Sequence, residues 1–351
     1  VGSLTLTATS SNTAVVPNAN LTISGTGVNR NLKINPVGVG YADVTVTVSD
    51  GTNTTSTVLK YAASAASGTP AISRFLTGTS DASTAIAIDS NYMVVADDED
   101  QTIRLYDRTN SGLPINSFNF TNSLGLTDLS GGVPREIDIE ASTRAGNRIY
   151  WLASHSNASG GNLRPNRYRL FATDISGTGA TTTLTYAGQY NNLRTDLIAW
   201  GNANGFDFTA SAAAGKIPEA TTLDGFNIEG LTLAPDNSTA YVAFRAPQVP
   251  TSDRTKALIA PITNFTDLVT GAASSATIVA PIQLDLGGRG IRSIDRNANN
   301  QYVIVAGPAD SATGTAPKDF RLYTWTGNAA DTPQVRSADL TALNAGGSFE
   351  S

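Results

Sequence analysis

The 351-residue chain has no cysteine, one methionine and one histidine. Without cysteine there is no disulfide framework, and the redox compartment cannot be read from thiol usage. No apolar run approaches the roughly 20 residues of a membrane-spanning helix. No signal peptide opens the chain, and the abrupt start at Val1 is compatible with one having been removed. Charged residues make up 15% of the chain, with a net charge of −6, which argues against a general nucleic-acid binder. Lysine is scarce, 5 residues against 18 arginines. Arginine suits bidentate contacts to carboxylate or phosphate, although genomic composition produces the same bias. The single histidine, His155, sits in a loop and reads as a hydrogen-bonded residue rather than a general base. No GxSxG motif or Ser-His-Asp order is present, which disfavours a nucleophile-elbow hydrolase.

Helical periodicity is also sparse. Short β-branched segments are separated by Gly, Asn, Asp and Pro, the pattern of an all-β protein. Residues 1–66 alternate with period two over Leu4–Ser11, Leu21–Ser24, Leu32–Ile34, Asp43–Gly51 and Thr55–Tyr61. One face is apolar and the other is Thr and Ser, which predicts a small β-sandwich. The phrases LTLTATSSNTAVVPNANLTISGTG, NRNLKINP and VTVTVSDG resemble the tandem Ig-like or cadherin-like repeats of large bacterial surface proteins. The resemblance implies an extracellular or cell-surface setting and a spacer or adhesive role. Such repeats begin with one or two further strands that are missing here. The sandwich is therefore expected to be incomplete, with an open edge available for self-assembly by strand pairing. Ala62–Pro70 is a small-residue linker to a second module, 67–351.

Four segments of that module share one layout. Their first strands are Ala85–Asp89, Glu136–Glu140, Phe226–Ala234 and Gly290–Asp295, each followed by a second and a third strand. Repeats of this kind predict propeller blades. Asn192–Trp200 reads as a short helix in an insertion, and Gly346–Ser351 as the start of a fifth, truncated blade. The expected fold is thus all-β: an incomplete Ig-like β-sandwich followed by a β-propeller of about five blades. The phrases DIEASTRAGNRIYWLASHS, LRPNRYRLFATDI, FNIEGLTLAPDNSTAYVAFRAP, LGGRGIRSID and YVIVAGP are spread over most of residues 85–325. They resemble the uncharacterised bacterial family related to esterase-like phytase propellers, a family whose function is poorly settled.

Blade connectivity brings first-strand starts and long loops to one mouth of a central channel. Three chemistries compete there. Glu136, Asp138, Asn227 and Glu229 offer hard oxygen ligands for calcium. Asp97, Asp98 and Asp100 form a second metal candidate, or simply a solvated acidic turn. Arg164, Arg167, Arg245, Arg289 and Arg292 suit an anionic ligand, a phosphoester or an acidic glycan. Metal and arginines together would resemble phytase chemistry. Alternatively the acids and arginines pair with one another and tie the blades together. The six Asn-x-Ser/Thr sites, at Asn20, Asn53, Asn119, Asn157, Asn237 and Asn264, are expected by chance in a chain this rich in those residues. The functional expectation is an extracellular binding or structural protein, part of a longer chain with neighbouring domains and stabilised by calcium. A calcium-dependent phosphoesterase and a filament subunit are the alternatives.

Overall fold

The computed structural model describes residues 4–27, 29–38, 40–63, 74–218, 225–310, 319–338 and 340. These residues divide between two compact units. One takes in the chain as far as Phe75 together with Asn110–Gly112, and the other takes in Leu76–Thr109 and Leu113–Ser337. The expected linker falls largely on residues 64–73, outside the described residues, as does the expected fifth-blade start at Gly346–Ser351.

The first unit contains β1 (Thr5–Ser10), β2 (Leu21–Ser24), β3 (Asn31–Ile34), β4 (Gly40–Ser49) and β5 (Thr54–Ala63). They form an antiparallel sheet β1-β4-β5 and a two-stranded sheet β2-β3. Asp50 closes the β4–β5 hairpin. Its Oδ1 accepts from the backbone N–H of Thr52 at 2.9 Å and of Asn53 at 2.7 Å, while Gly51 takes the left-handed φ of +91°. The two sheets share one small core. Val15, Val16, Ala42, Val44, Tyr61 and Ala63 are buried there, with Leu21, Leu32 and Ile34 packed against them.

The second unit is built from four four-stranded antiparallel meanders. The first is β6 (Ala82–Ala87), β7 (Tyr92–Asp97), β8 (Thr102–Asp107) and β9 (Asn116–Asn119). A small hairpin of β10 (Leu129–Ser130) and β11 (Val133–Pro134) leads to β12 (Ile139–Ala145), β13 (Arg148–Ala153), β14 (Leu170–Ser176) and β15 (Thr183–Tyr190). After helices α1 (Leu193–Ala203) and α2 (Phe208–Ser211) come β16 (Asn227–Leu233), β17 (Ala240–Ala246) and β18 (Ala257–Ile262). Helix α3 (Phe265–Thr270) then leads to β19 (Ile282–Leu284). The fourth sheet is β20 (Gly290–Arg296), β21 (Tyr302–Gly307), β22 (Arg321–Trp325) and β23 (Gln334–Val335). The first strand of each sheet lies beside the first strand of the next, in the order β6, β12, β16, β20. This is the blade layout of a β-propeller.

Apolar side chains fill the gaps between successive sheets. Ile103, Leu105, Phe120 and Ile139 meet Trp151 and Phe171 between the first and second. Tyr150, Leu170 and Ala172 meet Phe226, Val242, Phe244 and the helices between the second and third. Tyr241, Ala243 and Ile259 meet Ile291, Tyr302 and Trp325 between the third and fourth. Helix α1 covers the stretch Asn192–Trp200 that reads as helical in the sequence. Its buried residues Leu193, Leu197 and Gly201 recur every four positions on one face. Gly201 is required there, because a Cβ would stand 2.3 Å from the Phe208 ring.

Two first strands begin elsewhere than the alternation suggested. The second sheet starts at Ile139 rather than Glu136, because Asp138 adopts φ +61° and ends the extended run before it. The first sheet starts at Ala82 rather than Ala85. Each sheet also gains a fourth, outer strand that the repeat pattern left out. These strands, NSFN, TLTYAGQY, IQL and QV, are short or largely polar, as sheet edges tend to be.

Crowding between the third and fourth sheets is tight enough to test. A Cβ at Gly290 would lie 2.2 Å from the Arg245 carbonyl oxygen. Gly290→Ala should therefore destabilise the chain by about 1–3 kcal/mol, read by urea unfolding. Wild-type stability in this variant would contradict the packing.

Candidate functional site

All four first strands bulge near their starts. The extra, unpaired residue is Ser83 in β6, Glu140 in β12, Glu229 in β16 and Arg292 in β20. A bulge re-aims its side chain and adds local twist. The same irregularity therefore sets one polar residue at the corresponding place in every sheet. Below the bulges the four strands wall a cavity of about 230 Å³, lined by small residues such as Thr84, Ala141, Gly230 and Ser293. The Thr84 and Ser142 hydroxyls hydrogen-bond to each other at 2.7 Å, linking the first and second sheets.

The carboxylates proposed from sequence divide into two groups. Glu229 is almost wholly buried and is held as an ion pair. Its Oε2 lies 2.6 Å from Arg292 Nε, and its Oε1 lies 3.1 Å from Arg245 Nη1. Asn227 Nδ2 donates to Oε1 at 2.9 Å. Arg245 also donates to the carbonyl oxygens of Pro308 and Asp310, so one guanidinium ties the third sheet to the fourth. Glu136 and Asp138 share Arg167, at 2.9 and 2.7 Å. Asp138 is buried, and that burial pushes its carboxyl upward despite Arg167 and a hydrogen bond from Ser154, with Glu136 and Glu229 adding to the rise.

Asp138 also belongs to a second group. Ligand oxygens of Asp98, Asp138 and Glu140 all lie within 4.8 Å of one another, the one such group among the described residues. It combines a residue from each metal set proposed from sequence with Glu140, a bulge residue that neither set included. Asp98 follows the second strand of the first sheet, and Glu140 lies in the first strand of the second sheet. The group therefore spans two blades. Asp97 and Asp100 do not join it. Asp97 Oδ2 accepts from Ser80 N–H and its Oδ1 from Glu99 N–H, and Asp100 pairs with Arg104. Both order their own turn.

The arginines proposed for an anion are mostly occupied by acids. Arg167, Arg245 and Arg292 are paired as above, and Arg289 is paired with Asp319 while also donating to the Leu286 and Gly287 carbonyl oxygens. Half-buried Arg164 donates to Leu163 O at 3.4 Å and is not brought to the others by any described contact. Further arginines strap neighbouring sheets through backbone carbonyls. Arg144 reaches Ala87 O and Ile88 O, and Arg296 reaches Ala234 O.

Behind the mouth, Ser154–Asn157 is a buried polar turn. Ser154 N–H donates to Asp138 O at 2.8 Å, and Ile228 N–H donates to Ser154 O at 3.0 Å. Arg167 donates to Ser156 Oγ, and Arg194 donates to the His155 carbonyl and to Asn157 Oδ1. His155 sits at φ +57°. Its Nδ1 is 2.7 Å from Ala153 O, which assigns that nitrogen as the donor and leaves Nε2 as a buried acceptor. Burial, with Arg194 and Arg169 nearby, pushes the imidazole down to about 4. Thus the loop histidine is a structural centre, with no exposed base function.

No family model and no curated protein sequence matches the chain. Among solved structures, a Trypanosoma rangeli sialidase mutant is similar at 10% identity and a TM-score of 0.35, over 73% of this chain and 37% of that one. The NanB sialidase of Streptococcus pneumoniae gives 11% and 0.33, over 82% and 36%. A quinoprotein alcohol dehydrogenase-like protein of Bacteroides thetaiotaomicron gives 9% and 0.30, over 95% and 91%. The chain therefore spans little more than a third of the sialidase chains. Likenesses of this size decide neither family nor activity, and the description of the fold rests on the sheets themselves.

Two outcomes follow from the geometry. Arg292→Met leaves the buried Glu229 carboxylate with one guanidinium in place of two and should cost about 2–3 kcal/mol in urea unfolding, with much of the loss restored by adding Glu229→Gln. An uncoupled pair would show simple additivity instead. For His155 the folded pKa is depressed, so the unfolded state takes up a proton first as pH falls. Stability present above the ordinary value should be lost between about pH 6.5 and 4, on the order of 3 kcal/mol. His155→Gln should flatten that part of the stability–pH curve, and an unchanged slope would remove histidine as the cause.

Proposed function

We propose that the chain is an extracellular or cell-surface binding and display protein, stabilised by one calcium ion at the channel mouth. The observation that carries this reading is the Asp98–Asp138–Glu140 group, three oxygen donors from two blades gathered within the reach of one ion. Calcium suits the set because it takes only oxygen ligands, accepts irregular geometry and completes its shell with water and carbonyls. The upward push that burial gives the Asp138 carboxyl describes a site where a cation would favour the ionised form. In this reading the ion joins the first and second sheets where Arg245 and Arg292 join the third and fourth. The Ig-like or cadherin-like character of residues 1–66, a five-bladed ring and kinship with the phytase-related family are parts of the same proposal and rest on the sequence phrases.

The phosphoesterase alternative finds less support. It needs arginines free to hold a phosphoryl group, and Arg167, Arg245, Arg289 and Arg292 already face carboxylates. The filament alternative draws on the first unit, where β1 and β5 each pair with β4 alone among the described residues. A strand edge of that kind can accept another strand.

The test is thermal unfolding of the full chain in calcium and in chelator. Calcium at about 1,000 times its Kd should stabilise the fold by about 4 kcal/mol, and Asp138→Asn should abolish the difference. A melting temperature identical in calcium and chelator would overturn the assignment.

A further inference from the structure

Ser83 is the bulge residue of the first sheet and the counterpart of Glu140 in the second. It is only 3% exposed, and its Oγ has no hydrogen-bond partner among the described residues. The large majority of buried side-chain polar atoms are hydrogen-bonded, so an orphaned hydroxyl calls for a cause, and a bound ion is one. Thr84, the next residue, shows the contrast: it is buried as well, but its hydroxyl is bonded to that of Ser142.

Two sets of contacts fix where Ser83 stands. Within its own sheet, Ala82 pairs with Asp97, and Asp98 N–H donates to Asp81 O at 3.1 Å. The start of β6 therefore runs beside Asp98. Toward the second sheet, Thr84 Oγ1 and Ser142 Oγ lie 2.7 Å apart and register β6 against β12. The bulge residues Ser83 and Glu140 come just before this hydroxyl pair on their strands. Ser83 thus falls between Asp98 on its own sheet and Glu140 on the next, two of the three carboxylates that gather at the mouth. Strict alternation would turn Ser83 away from the side that Thr84 faces, and the bulge re-aims it.

We propose that Ser83 Oγ is a further oxygen ligand of the cation held by Asp98, Asp138 and Glu140, an inference that rests on the calcium reading above. Calcium takes six to eight oxygen ligands. Three carboxylates already exceed its double charge, so a neutral hydroxyl adds a ligand without adding repulsion. Binding the ion also gives the orphaned hydroxyl its partner, so Ser83 favours the loaded state and burdens the chain in chelator.

The experiment is isothermal titration of the full chain with calcium chloride, wild type against Ser83→Ala, with thermal unfolding of both in chelator. Ser83→Ala should weaken calcium binding by about tenfold. Its melting temperature in chelator should equal or exceed that of wild type, because alanine removes an orphaned hydroxyl and breaks no hydrogen bond. Ser142→Ala is the control. It breaks the bond to Thr84, so it should lower the melting temperature in chelator and leave calcium affinity within about twofold. Wild-type calcium affinity in Ser83→Ala, or a lowered melting temperature of that variant in chelator, would overturn the role of Ser83 and leave the three-carboxylate site standing. A wild-type chain that takes up no calcium would overturn both.

Discussion

The constraint that governs the second unit is the narrowness of the space where four first strands meet. Side chains facing the centre are mostly small or paired. Gly230 leaves no room for a Cβ, which would stand 2.7 Å from the Ala243 Cβ and 2.9 Å from Ile294 Cγ2. Thr84, Ala141 and Ser293 occupy the neighbouring positions on the other three strands. The bulges admit larger polar groups, and Glu229 and Arg292 enter there as partners. A buried ion pair of this kind offers modest net stability. What it gives is registration, because each member becomes costly once the other is misplaced.

The same economy explains the arginine bias. Arginine brings five donors on one rigid plane, so a single side chain can satisfy a carboxylate and carbonyls of a neighbouring sheet together. Arg245 does this between the third and fourth sheets, and Arg144 and Arg296 do it through carbonyls alone. Tyrosine plays a related part: the Tyr302 hydroxyl donates to Leu233 O, and that of Tyr241 to Gly327 O. Lysine, with a point charge on a flexible stem, cannot substitute for these forks.

Much of the fold was legible because alternation and turn residues are local. The strands Leu21–Ser24 and Gly290–Asp295, the Asp50 hairpin and helix α1 all follow from neighbouring residues. The site was legible in part. Sequence placed Asp138, Asp98, Glu229 and the arginines in one region, because equivalent points of repeated hairpins come together. It did not separate carboxylates held by arginines from carboxylates that gather with one another. Glu229 and Asp138 look alike along the chain, yet one faces two guanidiniums and the other shares one with Glu136. Glu140 stands outside both ligand sets read from the sequence, because strict period-two alternation hides a bulge. The shift appears only in the pairing register, between Ile139 and Ala141. Two of the outer strands escaped because two or three residues at an edge carry no periodicity.

The recurring bulge has a consequence for how such a framework changes. An extra residue outside the hydrogen-bonded ladder can be exchanged without altering which backbone groups pair on either side. Ser83 and Glu140 thus act as exchangeable fittings on one rim, whereas Glu229 and Arg292, being partners, change only together. A lineage or a designer could retune what the opening admits by swapping the fittings, while the surrounding architecture stays as it is.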